Sequence, residues 1–107
     1  MADIVSSSVD IGWGILVHGG AGSIPIERRA AHEAGCKDAA RAGFALLERG
    51  GAALDAVQAA SRVLEDLPQF NAGTGACLNE HGEVEHDASI MEGERLRAGG
   101  VCAVRGA

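Results

Sequence analysis

Two glycine-rich segments carry the residue types in this chain that are best suited to chemistry. Glycine has no Cβ, so main-chain N–H groups in such segments can come close to a ligand or to a developing oxyanion. The second segment adds the carboxamide of an asparagine, which can donate to or accept from a reacting group. Together they predict a hydrolase site that works largely through main-chain groups. The segments are His18-Gly19-Gly20-Ala21-Gly22 and Phe70-Asn71-Ala72-Gly73-Thr74-Gly75.

Each segment, taken alone, also has a structural interpretation. The His-Gly-Gly start occurs in lipase-like hydrolases, but those need a G-x-S-x-G elbow, which this sequence lacks. A dinucleotide fingerprint fails because Ser23-Ile24-Pro25 stands where its third glycine should fall. The first segment therefore fits either an oxyanion loop or a tight turn with a packed histidine. Asn71 likewise fits either a reacting centre or a turn in which its side chain bonds its own backbone.

An acidic stripe follows the second segment. Glu83, Glu85 and Asp87 alternate along a predicted strand and so share one of its faces. Such a stripe can be a paired-carboxylate or metal site, but a solvated or salt-bridged surface is the commoner outcome. His86 falls on the opposite face, which leaves a metal without a nearby nitrogen ligand.

The cysteines give no framework for a disulfide or a zinc site. Cys36, Cys77 and Cys102 are odd in number, widely spaced and without a CxxC pair, so we expect buried thiols in a reducing compartment. An alternative is a cysteine hydrolase that pairs Cys77 or Cys102 with His81 or His86.

Composition narrows the class of partner. A formal charge of −6 disfavours nucleic acid and anionic membranes, and 47% apolar with 22% charged residues is typical of a globular protein. No segment resembles a signal peptide or reaches the length of a membrane span. We expect a cytoplasmic protein with a small-molecule or dipeptide substrate.

The first half of the sequence predicts a strand and two helices. Residues 1–12 are expected to form a flexible, Ser-rich leader, and residues 13–107 to belong to a single domain. The apolar run 15–17 predicts a buried strand, because glycines follow it at once. Apolar residues at helical spacing predict helices over 27–49 and 52–65.

The second half predicts strands. Residues 84–91 alternate in polarity, 76–78 and 100–104 are short apolar runs, and turn residues separate them. The order predicts an α+β fold with both helices on one face of a mainly antiparallel sheet. Two helices can cover only one face of the sheet. Because the final strand is apolar, we expect another polypeptide segment to cover the second face.

Four motifs, in order, resemble the plant-type asparaginase/isoaspartyl peptidase family. The resemblance extends over most of the chain, from about Gly14 to Arg105. The motifs span residues 16–22, 51–57, 64–75 and 82–93. The family belongs to the N-terminal nucleophile hydrolases, so the resemblance implies an αββα sandwich and self-cleavage into two subunits.

The resemblance also implies that the reacting group is absent from this chain. In the family, a threonine that opens a Thr-Val-Gly motif attacks the amide, and its own amine is the base. The sole threonine here, Thr74, occupies a variable position within Asn-Ala-Gly-x-Gly. Residues 13–107 would then be the N-terminal part of the α subunit, inactive alone. Its partners would be the β subunit of the same precursor and a second αβ unit.

Some site residues carry over from the family. The resemblance implies that Asn71 contacts the threonine and that His18, Gly19 and Gly20 form a conformationally sensitive loop beside it. It implies no organic cofactor, and a sodium ion held by main-chain carbonyls. The carbonyls are those of Leu64, Glu65, Leu67, Phe70, Ala72 and Thr74. A truncated non-enzymatic protein, or a partner-binding module, is the alternative.

Overall fold

The chain is α+β, with two helices and two separate antiparallel strand pairs. The computed structural model describes residues 3–6 and 12–106. None of the helices in these ranges is long and apolar enough to cross a membrane. The elements are β1 (Asp3–Ser6), β2 (Gly14–Val17), α1 (Ile26–Glu48), α2 (Ala53–Asp66), a short 3-10 turn (Gly73–Gly75), β3 (His86–Glu92) and β4 (Arg97–Val104).

The predicted strand at 15–17 is confirmed as β2. Val17 is 4% exposed and Leu16 is 60% exposed, as expected for a strand with one face against the core. The partner of β2 is β1, in an antiparallel register that pairs Asp3 with Val17. β1 lies inside the segment 1–12 and was not predicted from the sequence. The rest of that predicted leader, up to residue 11, lies outside the described residues.

Both predicted helices are confirmed, and they pack closely because the residues between them are small. α1 buries Gly35, Cys36, Ala39, Ala40 and Gly43, and α2 buries two alanines. α1 ends where the sequence predicts, at a glycine with a positive φ, followed by main-chain hydrogen bonds back to the last turn. Small side chains let the helix backbones approach each other, so the core is thin and contains few large residues.

The single mainly antiparallel sheet that the sequence predicts is wrong in part. β3 pairs with β4 and β1 with β2, but the two pairs do not join within the described residues. Residues 76–78 are not a strand, although the predicted turn at Asn79 forms, with Gly82 N–H donating to the Asn79 carbonyl at 3.0 Å. No residue of β3 or β4 is fully buried. Within the described residues, each strand of this hairpin pairs only with the other.

Gly43 is the point at which α1, α2 and β2 meet, and its replacement tests that packing. A Cβ at Gly43 would lie 2.7 Å from the Ala56 carbonyl oxygen and would collide with the Ile15 side chain. We expect Gly43→Ala to lower the free energy of unfolding by about 1–3 kcal/mol, measured by urea denaturation. Gly99→Ala is the matched control, since a Cβ there meets nothing within 4 Å. Equal stability of the two variants would contradict this packing.

Candidate functional site

The structure brings the two glycine-rich segments together around one cavity. The first segment connects β2 to α1, and its residues line two adjoining cavities of about 570 and 450 Å³. The smaller cavity is shared with the second segment. Its lining includes all four of the predicted supporting residues, His18, Gly19, Gly20 and Asn71.

His18 is fixed by a hydrogen bond within its own loop. The main-chain N–H of Gly20 donates to Nδ1 of His18 at 3.1 Å. Because Nδ1 accepts, we assign the proton of the neutral ring to Nε2, which leaves Nε2 as a donor. Gly20 has φ +107°, a conformation that favours glycine. The loop thus presents an imidazole of defined tautomer at the cavity wall.

His32 lines both cavities, and the sequence analysis did not single it out. Its Nδ1 lies 2.9 Å from the carbonyl oxygen of Arg28. A carbonyl can only accept, so we assign the proton to Nδ1 and the free lone pair to Nε2. The ring meets Phe70 edge to face, with centroids 5.3 Å apart. The two histidines are therefore opposite tautomers, one offering a donor and the other an acceptor.

The Asn71 side chain is held by its oxygen. The main-chain N–H of Cys77 donates to Oδ1 of Asn71 at 2.8 Å. The donor lies six residues along the chain, so this contact is not the short turn bond expected as the structural alternative, and it occupies only the oxygen. The amide nitrogen of Asn71 has no hydrogen-bond acceptor among residues 12–106. The carboxamide is thus oriented by one end and offers N–H donors at the other.

Several main-chain carbonyl groups of the segment 64–75 lie close to Gly73 and Gly75 of the same segment. Gly73 has φ +50°, and a Cβ there would collide with the carbonyl oxygen of Glu65, while one at Gly75 would collide with that of Phe70. The carbonyls of Leu67 and Ala72 each accept one main-chain hydrogen bond, at 3.3 and 3.1 Å, and each retains a second lone pair. Carbonyl oxygens suit hard cations. Their donor chemistry is therefore of the type that the predicted sodium loop requires.

The acidic stripe is a salt-bridged surface. Arg105 pairs with Glu83 at 3.0 Å, and its Nε donates to Glu85 at 2.8 Å. Asp87 accepts the main-chain N–H of Ala103 at 2.8 Å. Among the residues described, no three His, Cys, Asp or Glu side chains are grouped to hold a metal. The structural interpretation of this stripe is therefore the one that the contacts support.

The predicted burial of the cysteines holds for one of the three. Cys36 is 6% exposed, whereas Cys77 and Cys102 are exposed. Exposure follows from their places in a loop and in the uncovered hairpin. His81 pairs with Glu80 at 3.5 Å, and no hydrogen bond in the described ranges joins Cys77 or Cys102 to a histidine side chain. The described contacts therefore do not bring together the cysteine and histidine that the cysteine-hydrolase alternative requires.

Comparison with known proteins identifies the class. The family described as asparaginase matches residues 11–106, and this chain belongs to that family. Its relatives include proteins named isoaspartyl peptidase/L-asparaginase. The one from Danio rerio is 54% identical over 91 residues, which cover 85% of this chain and 29% of the relative. Those from Homo sapiens and Mus musculus are 51% and 46% identical over 92 and 106 residues.

The match covers most of this chain but only part of each relative. The human and mouse relatives are covered over 30% and 32% of their length, against 85% and 98% of this chain. The chain thus spans about a third of the length of the curated relatives that it matches.

Sequence reasoning did not place Gly35, Cys36 and His32 of α1 against the glycine loop, although it predicted that Cys36 is buried. One signal was present. A glycine in the middle of a helix lowers helix stability by roughly 1 kcal/mol, so Gly35 indicates a close approach by another group. The sequence does not show that the approaching group is the ring of Phe70.

The Arg105 network gives a prediction for pH titration. Hydrogen bonds from Arg105 and then Asn79, with the charge of Arg105, lower the pKa of Glu85. A carboxyl with a lowered pKa stabilises the fold above its ordinary pKa, and this contribution is lost as the pH falls through the folded-state value. We expect Arg105→Gln to raise the Glu85 pKa towards its ordinary value, as measured by carboxyl-carbon NMR.

A matched control for this titration is Arg97→Gln. Arg97 pairs with Glu92 at 3.1 Å, on the turn that closes the same hairpin. It should leave the titration of Glu85 unchanged. If Arg105→Gln and Arg97→Gln gave the same Glu85 curve, the assignment to Arg105 would be wrong.

Proposed function

We propose that this chain is the N-terminal part of the α subunit of a threonine-nucleophile amidohydrolase. The enzyme would cleave the side-chain amide of asparagine and β-aspartyl peptide bonds, the two activities in its relatives' names. The observation that carries the proposal is the cavity that the glycine loop shares with Asn71. The nucleophile would belong to a further segment of the precursor.

The chemistry assigns a supporting role to each side of this cavity. A threonine hydroxyl attacks the amide carbon while the threonine's own amine takes the proton and delivers it to the leaving nitrogen. Ammonia or an amino acid departs, and water then releases aspartate from the acyl-enzyme. Negative charge develops on the threonine oxygen and on the substrate carbonyl oxygen in these steps. The amide nitrogen of Asn71 is a suitable donor to such charge, as are the main-chain N–H groups of the glycine loop other than that of Gly20, which donates to His18.

The exposed β3–β4 hairpin supports the assignment of a partner. Ile90, Met91 and Val101 are large apolar residues exposed on these two strands. The rest of the precursor, cleaved into a β subunit, would cover them and complete the αββα sandwich, and two αβ units would form a dimer. We place this enzyme in the cytoplasm.

The carbonyl loop supports a sodium ion as a structural component. The carbonyls of Glu65 and Phe70, which lie against the Gly73–Gly75 turn, would hold it with those of Leu64, Leu67, Ala72 and Thr74. A bound cation would supply fixed positive charge that holds this loop, and hence Asn71, in place. The reaction itself needs no organic cofactor.

The missing nucleophile gives the first activity prediction. We expect the 107-residue chain alone to release no ammonia from asparagine, because its sole threonine has neither a freed amine nor the family motif. Joining it to the remaining portion of the Danio rerio relative should restore ammonia release, with aspartate from β-aspartyl dipeptides. Sustained release by the isolated chain, or none from a folded and self-cleaved chimera, would refute the proposal.

The second activity prediction concerns Asn71. In the same chimera, Asn71→Ala should lower kcat by about 10²–10³-fold, the usual cost of losing one donor to a developing charge. Asn79→Ala is a matched control, because Asn79 also accepts main-chain N–H groups in a turn, from His81 and Glu83 at 2.9 and 3.0 Å. Its kcat should be that of the parent. Equal losses in the two variants would assign Asn71 to loop structure only.

A non-enzymatic partner-binding module is the second candidate, and the exposed hairpin favours it as well. The coding sequence after Ala107 separates the two candidates. A continuing frame with Thr-Val-Gly is expected for the enzyme, and a stop codon for the module.

A further inference from the structure

The ring of Phe70 lies between the glycine loop and α1. Phe70 is 4% exposed. A Cβ on Gly19 would lie 3.0 Å from its Cε1 atom, and one on Gly35 would lie 2.6 Å from Cε2 and 2.9 Å from Cζ. Cε1 and Cε2 are both bonded to Cζ, so both glycines contact the distal end of the ring, one on each side of it. The distal end of the ring therefore separates Gly19 of the loop from Gly35 of the helix.

Gly19 is held from the helix side by a second group. A Cβ on Gly19 would lie 2.6 Å from the sulfur of Cys36, which is 6% exposed. The loop backbone thus rests directly on the thiol and on the aromatic edge, with no side chain of its own between them. In a close-packed interior, such contacts leave the loop no space to move towards α1.

The backbone of Phe70 is fixed as well, and Asn71 follows it in the chain. The N–H of Phe70 donates to the carbonyl of Leu67 at 3.3 Å, and the carbonyl of Phe70 lies against Gly75. Phe70 and Asn71 both line the shared cavity, together with Gly19. A shift of the ring would therefore change the separation between Gly19 and Asn71.

We propose that Phe70 is a positioning residue, which sets the place of the Gly19 main chain relative to Asn71, and that α1 acts on the site through Gly35. This inference rests on the proposed function, because that separation affects catalysis only if both sides serve one reaction. Neither Phe70 nor Gly35 needs to touch substrate in this role.

Three variants of the chimera test the role. Phe70→Leu replaces the ring by a shorter side chain, and Gly35→Ala adds a methyl group that pushes the ring towards Gly19. Each should lower kcat by about 10–100-fold with little change in KM, since misplacement by about 1 Å costs up to that much in rate. The double variant should recover part of the Gly35→Ala loss, because leucine lacks the two ring atoms that the new methyl group would meet.

Gly43→Ala is the matched control. It also adds a methyl group to a packed glycine of α1, but its neighbours are Ile15 and Ala56, away from the loop. It should lower stability and leave the kcat of the folded enzyme unchanged. If Gly35→Ala changed stability alone, as Gly43→Ala should, or if the double variant showed additive losses, Phe70 would be a core residue only.

A second measurement needs no activity. Alkylation of Cys36 by iodoacetamide, located by peptide mass spectrometry, should be faster in Phe70→Leu and Gly35→Ala than in the parent and in Gly43→Ala. Equal rates in all four proteins would overturn the inference. If the folded and self-cleaved chimera released no ammonia but Phe70→Leu still sped the alkylation of Cys36, the proposed function would be refuted. The packing of Phe70 against Gly19 would still be supported.

Discussion

The close approach that small residues of α1 permit is the constraint on which the rest of the structure depends. Gly43 lets α1 contact the α2 backbone and β2, and Gly35 lets it contact the ring of Phe70. Ala39 and Ala40, between these points, have no exposed surface. One face of one helix therefore packs against β2 and α2 near Gly43 and against the segment after α2 near Gly35. The two glycine-rich segments follow β2 and α2 in the chain.

The sequence predicted the elements around these contacts but not the contacts themselves. The helices and β2 followed from periodicity and glycine punctuation, which are local signals. The pairing of β1 with β2 did not follow from such signals. β1 has only four residues and stands beside a Ser-rich stretch, so its sequence does not show the alternation of a longer strand. The single sheet failed for a related reason. Alternation in residues 84–91 indicates a strand with two faces, but it does not specify which neighbour covers either face.

The candidate site shows the same division. The family resemblance implied that His18, Gly19, Gly20 and Asn71 belong together, and they line one cavity. The tautomers of His18 and His32, and the orientation of Asn71, depend on single hydrogen bonds that no spacing encodes. The acidic stripe carried little information about chemistry, because an arginine at the end of β4 determines whether its carboxylates are free.

The β3–β4 hairpin also bears on colloidal behaviour. Each of its strands hydrogen-bonds to one neighbour only in the described ranges, so the outer edges are templates for pairing with other chains. Ion pairs stand at both ends of the hairpin, Glu92 with Arg97 and Glu85 with Arg105. These pairs carry no net charge, so repulsion between identical copies comes from the formal charge of −6 on the chain, and salt weakens it. The solubility of the chain at high concentration should therefore depend on ionic strength more than on the stability of its helical core.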